Sequence, residues 1–527
     1  MAKRLSGALP AKSQDSRTSV IHVFDLGGTS FIENNALFLQ LLSNSDSNVR
    51  VEVRMYCADF DADSDAKANA KLVAQCLSRL TKVQREQRDR ERTLGAVYNA
   101  TVARDLVVSS KEYDQCTGQM LLDGVREEER PDAERAAGIL LNEDLMNTTM
   151  GHGCYASNVL GGLNAAYHRG ELHGLVDAAM AFIDEHQECR HAVLVMGSLI
   201  GATGLSFLPI ILERLAQYRK KQDFQVYALL DGGTFIAHSA AYSLPKYHGS
   251  RDVKAKGDAV LGSLHDDGLL DVLDCGVVLT PLHHTGEPYW LCEEMRLEGR
   301  QCRHSSIENL LGAQLIMELI LGQDQEDVFH AVRNSGQKVF RLQRSPDAPE
   351  DRALNFADLG LDGTAFHSVL RKVAAGAAVK HLILSLDDST IKNIPALHDI
   401  LDKMSLQQLK AEMTRFADAC MILTQNIYDF CMTGSNFQEY PDMRPEDDYC
   451  LANTSAIEKV LKGDCNTKFN ISEMGSYEEV MEGRRSQVRK HTVNYHAARN
   501  RNLKHYVDEI SASSVEDFFL QLFRLAR

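Results

Sequence analysis

Residues 191–215 read H-A-V-L-V-M-G-S-L-I-G-A-T-G-L-S-F-L-P-I-I-L-E-R-L. The opening apolar run has the length and β-branched content of a buried strand. Gly197, Gly201 and Gly204 then break it. Apolar residues return at helical spacing, at Leu205, Leu208, Ile211, Leu212 and Leu215, so a helix follows the glycines. Strand, glycine loop and helix in that order offer backbone N–H groups and a positive helix end to an anion. Glycine lets the main chain approach a phosphate closely. Ser198 and Thr203 add hydroxyl groups. The spacing is neither G-x-G-x-x-G nor a P-loop, because no Lys follows Gly204. The bland alternative is a tight strand-to-helix turn with no ligand.

The same device recurs on either side. Ser19–Leu26, S-V-I-H-V-F-D-L, reads as a strand running into Gly27, Gly28 and Thr29, and a helical pattern follows through Phe31, Ala36, Leu37, Leu41 and Leu42. A second strand over 51–60 ends on Asp59, Asp61 and Asp63. In a βαβ unit an acid at that position commonly bonds a ribose hydroxyl; otherwise these acids are a solvated strand end. Downstream, a strand over 224–230 runs into D-G-G-T at 231–234. In an open parallel sheet such turns gather at the carboxyl ends of the strands, where ligands bind.

The remaining pattern supports an α/β architecture. The expectation is a Rossmann-like, mostly parallel sheet with helices on both faces over 19–250, after a disordered lead-in at 1–18. A smaller α/β part at 251–340 and a mainly helical C-terminal region at 341–527 complete it. Helices are expected over 66–93, 172–186, 257–273 and 305–321, and strands over 97–109, 275–280 and 379–386. Residues 149–167 hold a further glycine loop, and 345–357 read as a polar connection.

Composition narrows the function. The net charge is −16, which disfavours nucleic acid as a partner. The mixed-sign charged run at 82–92 and the basic cluster at 484–490 read as solvated helix faces. Twelve cysteines without a C-x-x-C suit a reducing cytoplasm and no metal framework; the grouping of His283, His284, Cys292, Cys302 and His304 fits no metal signature. No apolar window is long enough to span a membrane.

The order of these motifs resembles the tubulin/FtsZ superfamily, and within it the divergent bacterial tubulin-like proteins. The carrying stretches are D-L-G-G-T-S (25–30), C-A-D-F-D-A-D (57–63), M-G-H-G-C-Y-A-S-N (150–158), M-G-S-L-I-G-A-T-G (196–204) and R-Q-C-R-H-S-S-I-E-N-L-L-G-A (300–313). The resemblance covers about residues 19–322. It implies that Gly27, Gly28 and Thr29 form a first phosphate loop. Gly197, Ser198, Gly201, Ala202, Thr203 and Gly204 would form the signature loop, with GTP or GDP and Mg²⁺ as ligands and self-association or a partner protein as context. The usual G-G-G-T-G-[ST]-G is loosened here, and neither an N-x-D-x-x-[DE] acidic loop nor an Asn pair for guanine is found. Slow or absent hydrolysis is therefore expected. Asp266, Asp267, Asp271 and Asp274 fall near the acidic-loop region, but in helical sequence. Three other functions share parts of the pattern: a scaffold that has lost the nucleotide, an NAD(P)-dependent Rossmann enzyme, and a sugar-kinase-like phosphotransferase built on D-x-G-G-T at Asp25.

Overall fold

The computed structural model describes residues 18–43, 50–61, 64–87, 97–106, 125–140, 158–222, 224–232, 250–279, 307–321, 338–342, 387–434 and 510–525, with isolated residues between 122 and 147 and between 369 and 383. Several expected features lie outside these residues. They are the 1–17 lead-in, the 149–157 loop, Gly233 and Thr234, the 300–306 motif, the His283–His304 grouping and the basic cluster near 484–490.

The chain alternates strand and helix from its start. In order come β1 (Ser19–Leu26), α1 (Gly28–Ser43), β2 (Val51–Ala58), α2 (Asp65–Glu86) and β3 (Val97–Leu106). Helices α3 (Arg130–Leu140), α4 (Asn158–Tyr167) and α5 (Arg169–Glu185) lead to β4 (Arg190–Ser198) and α6 (Ala202–Arg219). Then follow β5 (Gln225–Asp231), α7 (Ser250–Asp266), β6 (Cys275–Leu279), α8 (Ile307–Leu321) and β7 (Val339–Leu342). The described C-terminal part is helical: α9 (Asp388–Lys392), α10 (His398–Leu401), α11 (Leu406–Gly434) and α12 (Val515–Leu525).

The seven strands form one sheet in the order β3-β2-β1-β4-β5-β6-β7, with every pairing parallel. Parallel strands require crossovers, and the intervening helices cover both faces. Strand residues alternate strictly between them. Ile21, Val23, Val53, Met55, Leu194, Met196 and Leu229 join the core beneath α1, α2 and α8. Phe24, Leu26, Tyr56, Val193, Val195, Ala228 and Leu230 join the core beneath α4, α5 and α6. That double burial explains why the strands read as continuous apolar runs.

Two expectations gain detail and one changes. Within 251–340, β6 and β7 continue the main sheet, each pairing in parallel with the strand before it. β7, V-F-R-L, is too short to stand out from its polar surroundings. The C-terminal helices are likewise part of the main body, because Leu409, Met413, Phe416, Phe518 and Phe519 complete the core under α1 and α2. Finally, Val379, Lys380 and Ile383, expected in a strand, are helical. Val369, Val373, Val379 and Ile383 are buried at spacings of a helical face, so the longer period wins over the short apolar run.

Candidate functional site

Register brings the glycine turns to one level. Leu26 pairs with Ala58 on one side and Gly197 on the other, and Ser198 pairs with Asp231. Each ladder then runs one bond further: Gly27 N–H donates to Ala58 O, Leu199 N–H to Asp231 O and Gly232 N–H to Leu279 O, each at 2.8 Å. The order of strands reverses direction between β1 and β4, the place where open α/β sheets bind ligands at their carboxyl ends. Helices α1 and α6 both begin at this end, and their first-turn N–H groups have no acceptor within the helix.

The glycines do different work at this end of the sheet. Gly27 has φ of +84°, which a side chain resists. A Cβ on Gly27 would stand 3.1 Å from Thr203 Cβ and 3.3 Å from Gly204 N, so the two loops touch. A Cβ on Gly204 would meet Ser198 N at 2.6 Å, Ser198 O at 2.8 Å and Leu26 O at 3.0 Å. Gly204 thus lets α6 sit directly on β4 and β1, the role of a helix–strand packing glycine. On Gly197 a Cβ would lie 3.4 Å from Leu26, again close packing. Gly201 differs: it caps α6 at φ −69° and ψ 129°, and a Cβ there would make only ordinary contact with Ser198 at 3.5 Å. Gly28 opens α1 and is buried.

The hydroxyls and acids are also built into the fold. Ser198 Oγ accepts from Ile200 N–H at 3.1 Å and Gly201 N–H at 3.0 Å, bending the chain into α6. Thr29 and Ala202 are buried in the first turns of α1 and α6. Asp59, expected to reach a ribose from the surface, is buried instead. Its Oδ1 accepts from Asp61 N–H at 3.3 Å and lies 3.5 Å from the Thr203 hydroxyl. Burial, and then the neighbouring Asp61 charge, push the Asp59 carboxyl up to about 7. Asp61 remains partly exposed. Nearby, Lys67 is held by Asp105 at 2.8 Å and by the Leu106 carbonyl at 3.1 Å.

Sequence reading missed the acids behind the loops. Asp25, Glu33 and Asp231 are fully buried at this end of the sheet. The Asn34 amide donates to Asp25 Oδ2 at 3.1 Å. Burial raises the Asp25 carboxyl well above its ordinary range, and burial, Asp231 and Asp25 do the same to Glu33. The available signal was Glu33, the one charged residue of α1, followed directly by Asn34 and Asn35. Among the described residues, no three His, Cys, Asp or Glu side chains converge to hold a metal ion.

The chain matches no family model, no curated protein and no solved structure. Among the described residues, no helix is long and apolar enough to cross a membrane.

Proposed function

We propose that the chain binds a purine nucleotide at the carboxyl end of the sheet, with its phosphates at the first turns of α1 and α6. One observation carries the reading: the glycine turns after β1 and β4 meet at the reversal of strand order, with two helix N-termini opening onto it. The tubulin/FtsZ-like order of motifs favours GTP or GDP over adenine nucleotides. Slow or absent hydrolysis follows from the acids: Asp59, Asp25 and Glu33 are buried, so none stands free to orient an attacking water.

Titration calorimetry of the full chain with GTP, GDP, ATP and NAD, with and without Mg²⁺, tests this. Heat is expected with GTP and GDP. Silence with every purine nucleotide would transfer the weight to a tubulin-like scaffold without nucleotide. That second reading draws on the fit of Gly27 and Gly204 against backbone and Thr203, which gives both glycines a packing role needing no ligand. Heat with NAD alone would instead support the Rossmann enzyme, whose strand order 3-2-1-4-5-6 this sheet shares. The sugar-kinase reading is weakened by α1, which follows the Asp25 loop where that fold needs a hairpin.

A further inference from the structure

A row of hydrogen-bonded side chains crosses the sheet on the face covered by α5. His22 of β1, Tyr56 of β2 and His191 of β4 form it. The Phe182 ring of α5 stands edge-on to both histidines, with centroids 5.7 and 6.2 Å away. His22 Nδ1 lies 3.2 Å from Tyr56 Oη, and His22 Nε2 lies 3.1 Å from His191 Nδ1. His191 Nε2 lies 2.8 Å from the carbonyl oxygen of His186, the residue that ends α5. The row joins three strands to a helix end and stands apart from the nucleotide reading above.

Its last bond fixes the others. A carbonyl only accepts, so His191 Nε2 carries a proton. A neutral imidazole protonated there has a bare Nδ1. His22 Nε2 then donates to it, which leaves His22 Nδ1 bare and makes the Tyr56 hydroxyl the donor at that atom. Every donor points the same way, from Tyr56 toward His186. The surroundings decide where an added charge goes. His22 is fully buried, and Arg54 of β2 and His191 both oppose a charge on it. His191 is only half-buried. Glu188, in the turn before β4, and Glu52 of β2 favour a charge there, against His186 at the end of α5. Arg54, Glu52 and Arg104 of β3 are the charges around Tyr56. The positive charge therefore belongs on His191.

We propose that this row is a proton-operated switch: one proton taken up reverses it, leaving His191 charged, His22 in the opposite neutral tautomer, and Tyr56 an acceptor where it was a donor. The protons balance. His22 passes its Nε2 proton to His191 Nδ1, and the proton gained from solvent settles on His22 Nδ1. One positive charge appears, at the half-buried end. A titration at the start of β4 thus reaches β1 and β2 without charging the core.

Nitrogen-15 NMR of the full chain labelled at histidine, followed from about pH 8 to about pH 4, reads the tautomers directly. His22→Gln and His191→Gln assign the signals. At the alkaline end both rings should be neutral with the proton on Nε2. As pH falls, His191 should become doubly protonated while His22 stays neutral and moves its proton to Nδ1. The amide in His22→Gln can turn its oxygen toward His191, so the His191 titration should shift upward in that variant. An Nδ1–H tautomer on either ring at the alkaline end overturns the ordered row. A His22 that keeps its Nε2 proton, or becomes doubly protonated, while His191 titrates overturns the reversal. So does unfolding before His191 titrates, or an unshifted His191 titration in folded His22→Gln. Should that variant fail to fold, the wild-type tautomers still decide.

Discussion

Gly201 and Gly204 are three residues apart and predict opposite outcomes. A methyl group on Gly204 would collide with the backbone of Ser198 and Leu26, which cannot swing aside. Gly204→Ala should cost about 1–3 kcal/mol or more, visible as a lower denaturation midpoint. Gly201→Ala adds a methyl in ordinary contact at an extended backbone, so its stability should stay within about 0.5 kcal/mol of wild type. That makes Gly201→Ala the cleaner probe of the loop: weaker GTP binding at unchanged stability would mark a ligand-facing position. His22 sets a second residue-scale expectation. Its ring bonds Tyr56 Oη at 3.2 Å and His191 Nδ1 at 3.1 Å. Burial, helped by His191 and Arg54, lowers its pKa from 6.5 to about 3. A depressed histidine contributes stability that is complete above its unfolded value and lost as pH falls from 6.5 toward 3. Melting temperature should therefore drop over that interval, and His22→Gln should flatten the drop. An equal slope in both proteins would show that other groups govern it.

Among the elements, α12 is the one whose importance is least visible locally. It lies at the far end of the chain, yet Phe518, Phe519 and Phe523 fill the core beside α2 and α11. Arg79 on α2 pairs with Glu516 on α12 and Glu412 on α11, and its guanidinium lies 4.7 Å above the Phe416 ring. Phe519 stacks on Phe416 with centroids 5.2 Å apart. Phe519→Ala should cost about 3–5 kcal/mol through the cavity it leaves, read by chemical denaturation. A loss under about 1 kcal/mol would mean that α12 detaches at little cost. The exposed ends of α7 and the following turn behave differently. Asp274 accepts from Arg219 and from Val226 N–H, fastening α6 and β5, whereas Asp266 and Asp267 are exposed.

At the scale of the whole molecule, that difference bears on assembly. A chain that self-associates to hydrolyse GTP would need an exposed acid to reach a neighbour's nucleotide. Asp267 meets that condition; Asp274 is already engaged. Under the proposed nucleotide-binding function, phosphate release should stay slow and light scattering flat as protein concentration rises. Hydrolysis that climbs steeply with concentration and collapses in Asp267→Ala would contradict this expectation. Protonation also acts on the whole body, through opposite limbs. The His22 contribution fails on the acid side, while the raised Asp25, Glu33 and Asp59 carboxyls contribute stability that is lost as pH rises through their folded values. For Asp59 that loss begins above 3.8 and is complete near 7.

Local periodicity in the chain itself determined the strand–helix alternation and the glycine turns at Gly27 and Gly197–Gly204. Apolar runs, helical spacing and turn glycines are local properties, and a parallel sheet follows because short helical crossovers permit little else. The distinction among the glycines required the tertiary structure. Whether a Cβ fits depends on Ser198 and Leu26 backbone atoms that folding brings against Gly204. The same holds for Asp59, which reads as a surface acid until α6 brings Thr203 alongside it. Membership of β7 in the main sheet, and of α12 in its core, also depended on contacts across long sequence separations. The state of Glu33 is the clearest case: its chemistry is set by its burial and by the Asp231 and Asp25 carboxyls around it, and burial is a property of the assembled layers rather than of any one segment.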